Sequence, residues 1–501
     1  MTGSVIAVAR LTDALAAEYL EYHGVLPLRM EDGHLVVGTW LGEPDPQVLD
    51  DLRMLFQAEV TLVQGTQDDL RQQIRRLYGD GPMTAEQVIA RLDPSDTAPQ
   101  ARGAAIDDLV SLAGEAPVVR LVNLLLVEAL DARASDVHLE GYANQLRVRY
   151  RVDGVLQDAP SPPNDLAPAV ISRLKIMADL DIAERRVPQD GRIRLTLRDR
   201  EVDVRVSTIP ILHGESVVLR LLDKERGRIG LENLGMGEDT RGAFVRATER
   251  PHGIVLATGP TGSGKTTTLY AAVDRIRTGR EKILTVEDPV EYELPGVAQM
   301  PVHEKVGVTF ASALRALLRQ DPDVLLVGEI RDEETAEIAT HAALTGHLVL
   351  STLHTNDAPT ALTRMLDLGV APYLVASTVE AVLAQRLVRV ICDACREPFF
   401  AGVPPLHDVE TGPGGEALFR GRGCEHCRGT GYRGRAGIYE LLVLDDELRA
   451  ALQRGAGELR ALAMARGMRT LRDDGMRQAR AGVTTLEEVL RVTGTVGPVQ
   501  S

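Results

Sequence analysis

The residues with the clearest chemistry are Gly259-Pro260-Thr261-Gly262-Ser263-Gly264-Lys265-Thr266, followed by Thr267. An apolar run at 254–257 reads as a short buried strand before them, and an alanine-containing helical stretch follows. This is G-x-x-x-x-G-K-T between a strand and a helix. The glycines free successive backbone N–H groups to face an anion, and the helix N-terminus adds partial positive charge. Lys265 supplies a mobile cation for β/γ-phosphates, and the Thr266 hydroxyl suits Mg²⁺. The stretch predicts a nucleoside-triphosphate site.

Carboxylates and histidines downstream fit the same chemistry. An expected strand at 282–286 ends in Glu287-Asp288-Pro289-Val290-Glu291, and another at 323–327 ends in Gly328-Glu329. Acids at strand C-termini in an open α/β sheet are placed for Mg²⁺ or an attacking water. The second strand is a Walker B strand with Gly328 where aspartate is usual, leaving Glu329 to organise the hydrated metal. A third apolar run is bracketed by His347 and His354. A strand-end histidine is often only a core polar group, but Ser351 and Thr352 beside it favour a γ-phosphate sensor. Arg192, Arg205 and Arg220 lie on strand-like stretches next to turns, and Arg315 and Arg319 on an expected helix at 310–320. Arginine's permanently charged fork matches phosphate oxygens. A clamp over the nucleotide and solvated strand edges are the two readings.

All four cysteines, Cys392, Cys395, Cys424 and Cys427, fall into C-x2-C-x28-C-x2-C. Two knuckles so spaced read as a closed tetrahedral Zn²⁺ site of structural role, with a redox pair as the alternative.

These residues need several domains to position them, and 501 residues is too long for one core. Residues 1–92 read as a small α/β module without catalytic spacing. Helices are expected near 11–22, 47–56 and 67–78, with a strand at 35–40. A Pro/Ser/Asp/Ala-rich stretch makes 93–116 a flexible linker, and a docking module on that tether or a packing domain fixed to the body are the two readings of 1–92. A second domain, 117–245, should have helices near 118–132 and 167–177 and strands near 145–150, 191–197 and 202–207. A third domain, 246–501, then holds the nucleotide motifs and a four-cysteine insertion at 391–430.

The net charge of −16 argues against a general nucleic-acid binder, which would need a basic face. The most apolar stretch, 118–130, carries Arg120, Asn123 and Glu128 and is too short to span a bilayer. The N-terminus lacks the pattern of a signal peptide. A cytoplasmic location with no direct membrane insertion is expected, any membrane role coming through partners.

The stretches LTVEDPVEYELPGVAQM, LRQDPDVLLVGEIRDEETAEIA and TGHLVLSTLHTNDA resemble the aspartate box, atypical Walker B and histidine box of the secretion ATPases, the hexameric motors of type II secretion and type IV pilus assembly. ASDVHLE, VRYRVDGVL, RVPQDGRIRL, VDVRVSTIP and the four-cysteine insertion extend the likeness over about residues 105–495. The resemblance implies an α/β chain: a RecA-like P-loop ATPase core, a preceding PAS-like domain, a zinc-ribbon-like insertion and a small N-terminal docking domain. It implies ATP with Mg²⁺ as substrate and cofactor, structural Zn²⁺, and Glu291 as base for the attacking water. Glu329 would hold the metal's water shell, and His347 and His354 would report phosphate state. Arg192, Arg205, Arg315 and Arg319 resemble arginines that reach nucleotide within or between subunits. Residues 1–92 lack paired R-L-G-type motifs, while HGVLPL (23–28) is similar to the docking domain of the type II branch. That branch implies a homo-hexamer peripheral to the inner membrane. Its partners would be the cytoplasmic part of a docking subunit, bound by residues 1–92, and a polytopic platform protein. A pilus-extension ATPase is the alternative within the family, and a non-hydrolysing nucleotide-binding regulator the alternative of another class.

Overall fold

The computed structural model describes residues 11, 15, 17–31, 33–42, 44–56, 58–78, 85, 89, 116–197, 200–223, 229–399 and 418–494. The linker expected at 93–116 lies outside them, Ala116 apart, as does the middle of the four-cysteine insertion.

In the first unit β1 (Val25–Glu31), β2 (His34–Thr39) and β3 (Glu59–Gln64) form a sheet in that order. Gly33, at φ +81°, turns the antiparallel β1–β2 hairpin. The parallel β2–β3 pair needs a crossover, which the helix Pro46–Phe56 supplies. Helices Ala17–His23 and Gln67–Leu77 complete the unit, whose core includes Leu26, Leu35, Leu52 and Ile74. The helix expected at 11–22 is described only from Ala17, and β1 and β3 join the single strand expected. β3 is an edge strand without one buried side chain, so no hydrophobic alternation announces it.

The second unit is an antiparallel sheet of β4 (Ala134–Gly141), β5 (Leu146–Val152), β6 (Val155–Asp158), β7 (Gln189–Leu197), β8 (Arg200–Ile211) and β9 (Gly214–Asp223), ordered β6-β5-β4-β9-β8-β7. Helices Ala116–Asp131 and Ala167–Met177 bury one face through Leu121, Leu125, Val170 and Leu174 against Val137, Leu139 and Val204. Side chains alternate across a strand, so the opposite face collects charge. Register aligns Arg151, Asp136, Arg220, Arg205 and Arg192 in one rung across five strands.

The third unit centres on seven strands: β10 (Gly253–Thr258), β11 (Ile283–Glu287), β12 (Ala298–Pro301), β13 (Val324–Val327), β14 (Leu348–Leu353), β15 (Val379–Ile391) and β18 (Tyr432–Val443), ordered β12-β11-β13-β14-β10-β15-β18. All pairs are parallel except β15–β18. β10, β11, β13 and β14 are buried at every position, as strands covered on both faces must be. The parallel run brings the loops after β10, β11, β13 and β14 to one edge of the sheet, where ligands bind in such folds. Leu231, Leu234, Met236, Phe244 and Ala247 pack with Val255 and Leu269. This corrects the domain boundary expected at 245/246: the segment from Leu231 through the helix Glu238–Thr248 buries its apolar face in the core of the third unit, not in that of the second. Buried Glu440 of β18 accepts the N–H groups of Ala358 at 2.8 Å and Leu471 at 3.3 Å, so one carboxylate receives the first residue of two helices. No helix among the described residues is long and apolar enough to cross a membrane.

Candidate functional site

The phosphate loop leaves β10 and enters the helix Lys265–Ile276. Gly259 is at φ +147°, and a Cβ there would stand 2.5 Å from the Gln385 carbonyl; Gly264, the helix N-cap, is at φ +89°. Both positions demand glycine, for space at the first and for backbone conformation at the second. Gln385 of β15 supports the loop from below, its Nε2 donating to the Ser263 carbonyl at 2.7 Å. Lys265 folds back to donate to the carbonyls of Gly259 at 2.7 Å and Pro260 at 3.1 Å. Burial, and then the neighbouring Arg386 guanidinium, push the Lys265 ammonium down to about 8 against the opposing pull of Glu329. A cation so placed gains most from a phosphate that restores its counter-charge.

Glu329 follows the Walker B strand by two residues and is mostly buried. Arg331 reaches its Oε1 at 2.5 Å and His354 Nε2 its Oε2 at 3.3 Å. Thr352 and Ser351 donate to the carbonyls of Gly328 at 2.7 Å and Val327 at 2.8 Å, so they lock β14 to the Walker B strand. Glu329, His354 and Lys265 therefore share the sheet edge with the phosphate loop. His347 does not. It precedes β14, at the far end of a six-residue strand roughly 20 Å long. There its Nδ1 lies 2.9 Å from the Ala342 carbonyl. The phosphate-sensing role expected for His347 is corrected on this ground, because a parallel sheet puts the phosphate loop at the C-terminal ends of its strands.

The three acids after β11 separate. Glu287 is turned inward and buried, accepting from Thr285 Oγ1 at 2.5 Å and from the Tyr270 hydroxyl. Asp288 is exposed, and Glu291 is partly open and paired with Arg205 Nη2 at 3.2 Å. The same nitrogen donates to the Val290 carbonyl at 3.4 Å. Arg205 comes from the second unit, so that unit's charged rung meets the loop of Glu291. Arg220 pairs with Asp136 at 3.1 Å, and Arg192 is exposed. Like charges on adjacent strands destabilise a sheet unless anions intervene, and Asp136 and Glu291 do so here. Arg315 pairs with Glu334 at 2.5 Å, and Arg319 donates to the Arg315 carbonyl at 2.9 Å. Neither arginine approaches Glu291 or Lys265 through any described contact.

β15 and β18 continue into a module formed with β16 (Arg396–Phe399) and β17 (Leu418–Gly421), an antiparallel pair. The ligand atoms of Cys392, Cys395, Cys424 and Cys427 all lie within 4.8 Å of one another. Sγ separations are 3.9 Å for 392–424, 3.8 Å for 395–427 and 3.7 Å for 424–427. A tetrahedron with Zn–S of about 2.3 Å has edges of about 3.8 Å. The amides of Cys424 and Gly431 each donate to Cys427 Sγ at 3.2 Å, as suits a thiolate. The four cysteines are positioned to hold a metal ion, and their set and spacing fit structural Zn²⁺.

A family model for type II/IV secretion system proteins matches residues 111–491, and one for the MshEN domain matches residues 5–84. The chain belongs to the type II/IV secretion system protein family. It is 54% identical over 392 residues to a type II secretion system protein E of Pseudomonas aeruginosa, covering 77% of this chain and 78% of that protein. It is 47% identical over 486 residues to its namesake in Xanthomonas campestris, covering 96% and 84%. Among solved structures, the pilus retraction motor PilT with bound ADP superposes at a TM-score of 0.52 and 26% identity, covering 75% of this chain and 97% of that one.

This secretion-family chain is an ATP-hydrolysing P-loop enzyme, its substrate ATP with Mg²⁺. Lys265, Glu291, Glu329, His354 and the cysteines stand within the sequence motifs. Gln385, Arg386 and Arg331 do not, and they approach the phosphate loop, Lys265 and Glu329 from a neighbouring strand or from just beyond the Walker B motif. Arg331, two residues after Glu329 on a strand-end loop, had a signal in its spacing; Gln385 and Arg386 had none.

Proposed function

We propose that this chain is the cytoplasmic ATPase that powers a type II secretion system through pseudopilus assembly. It works as a homo-hexamer peripheral to the inner membrane. Residues 1–92 bind the cytoplasmic part of a docking subunit, and a polytopic platform protein is a further partner. The contact of Arg205 with Glu291 carries this reading, because it joins a separate domain to the loop that activates water. Hydrolysis that depends on such a contact can be converted into domain movement.

In this reading the backbone amides from Gly259 to Gly264, with Lys265, Thr266 and Thr267, receive the phosphates. The Thr266 hydroxyl and, through water, Glu329 would hold Mg²⁺, which when bound neutralises phosphate charge. Glu291 orients and deprotonates the attacking water, and His354 senses the γ-phosphate beside Glu329. Arg205 and Arg192 serve the nucleotide of their own chain, and Arg315 and Arg319 that of a neighbour. Identity of about half over most of the chain to type II proteins favours secretion over pilus extension.

The test is Mg-dependent ATP turnover by the full chain. Lys265→Ala should abolish it, while Glu291→Gln should keep ATP affinity and lose at least about 10²-fold in turnover, the lower end for a general base. Wild-type turnover in Glu291→Gln would move the role to Glu329. Absence of Mg-dependent turnover from the wild type with its partners would leave a nucleotide-binding regulator.

A further inference from the structure

The loop 288–297 joins β11 to β12 and presents Glu291 at its crest. It is held by the side chains of Glu287, Tyr270 and Gln299. Glu287, 3% exposed, accepts hydrogen bonds from the Tyr270 hydroxyl, from Thr285 Oγ1 at 2.5 Å and from Gln299 Nε2 at 3.2 Å. Tyr270 stands on the helix that begins at Lys265, and Gln299 on β12. The Gln299 amide then grips the loop itself. Its Oε1 accepts the Leu294 N–H at 2.7 Å, and its Nε2 donates to the Tyr292 carbonyl at 3.2 Å. The Tyr292 ring meets the Tyr270 ring edge-on, centroids 4.7 Å apart. The residue after Glu291 is thus fixed at both its ring and its carbonyl.

Two consequences follow for the chemistry. Glu287 is buried and committed to three donors, so of the two glutamates at this strand end it is the one held inside the fold, while Glu291 is the partly open one. Burial and the Glu287 charge also raise the Tyr270 hydroxyl, keeping it a donor. The helix carrying Lys265 and the loop carrying Glu291 are therefore connected by one continuous hydrogen-bonded path.

We propose that Tyr270 and Gln299 are positioning residues for hydrolysis: with Glu287 they form a buried clamp that ties the phosphate-binding helix to the loop presenting Glu291. This rests on the reading of Glu291 as the base. A displacement of about 1 Å at a reacting group can cost on the order of 10² in rate, so the clamp acts on turnover while nucleotide affinity stays with the phosphate loop.

The experiment is a double-mutant cycle on the full chain, with Gln299→Leu and Tyr270→Phe each made alone and with Glu291→Gln. Each single clamp variant should lose roughly tenfold or more in kcat, with binding of a non-hydrolysable ATP analogue within about twofold of wild type. In Gln299→Leu the Leu294 amide should exchange hydrogen faster than in the wild type, a readout independent of activity. In the Glu291→Gln background neither substitution should lower the residual rate further, because groups that act as a unit are non-additive. Wild-type kcat in both clamp variants, or losses that simply multiply with that of Glu291→Gln, would overturn the clamp and leave the base reading standing. Full turnover in Glu291→Gln would sink the base reading and the positioning role with it. Should Gln299→Leu fail to fold, Tyr270→Phe, which keeps the ring, decides by the same cycle.

Discussion

Lys265 sits among backbone carbonyls with its ammonium drawn down to about 8 by burial and by Arg386. Only the protonated form attracts phosphate. Below about pH 8 the lysine is already charged and nucleotide affinity should be flat. Above it, binding must recruit a proton, so affinity should fall by up to about tenfold per pH unit. Titration with a fluorescent ATP analogue between pH 7 and 10 reads this slope, and Lys265→Arg, charged throughout, should flatten it. An affinity that stays constant to pH 10 in the wild type would show that the lysine keeps its ordinary value. The lysine itself was legible because its role is written in consecutive residues: glycines that need positive φ, then the cation, then the hydroxyl. Arg386 and Gln385 were not, because they matter only once β15 lies beside β10. Nothing local encodes that strand order. His347 misled for the reverse reason. It flanks the same strand as His354, and only the direction of that strand separates an end near phosphate from one far away.

The stretch 379–391, VEAVLAQRLVRVI, is rich in residues that favour helices, yet it is a strand. Pairing with β10 on one side and β18 on the other overrides that propensity. The charged rung of the second unit was half legible: its arginines stood out, but their alignment on one rung depends on sheet register. The four-cysteine module was the easiest element to foresee, since ligand type and spacing define it without a core. It leans on its surroundings through Arg389, which stacks 4.0 Å over the Tyr432 ring and pairs with buried Glu488 at 2.5 Å. Purified protein should carry one Zn²⁺ per chain, and Cys395→Ser should lose it. Structural zinc contributes on the order of 10 kcal/mol to the folding of small metal domains, so the module should unfold at lower temperature while analogue affinity at the distant phosphate loop changes by less than about threefold. Metal analysis and calorimetry check this. A metal-free wild type of unchanged thermal stability would contradict it.

Across the whole molecule, polar contacts among the described residues join the second unit to the ATPase core at two separated places. One is Arg205 on Glu291; the other is Asp153, which accepts the Gly434 N–H at 2.8 Å and lies 3.9 Å from Arg435 near the cysteine module. The first contact is made within one chain, so Arg205 should act on its own nucleotide. A mixture of Lys265→Ala subunits with Arg205→Ala subunits should then stay as inactive as either parent. The exposed Arg315 and Arg319 suit a neighbour instead, and mixing Lys265→Ala with Arg315→Ala should recover part of the turnover. Arginines supplied in trans are worth roughly 10³ to 10⁵ in related phosphoryl-transfer enzymes. Recovery in the first mixture would place Arg205 across the interface after all.

β15 carries Gln385 beneath the phosphate loop, and Cys392 follows its last residue. About seven residues of extended chain, roughly 23 Å, separate the two, and β18 pairs with the strand from Ala381 to Ile391. The pairing is regular from Ala381 to Arg389 and shifts register before Ile391, so the floor of the nucleotide pocket and the first metal ligand lie on one ribbon with an irregular step next to the cysteines. A bulge bends a strand locally, and this one sets the module apart from the pocket, so the module can lose its metal while the floor beneath the phosphate loop keeps its place.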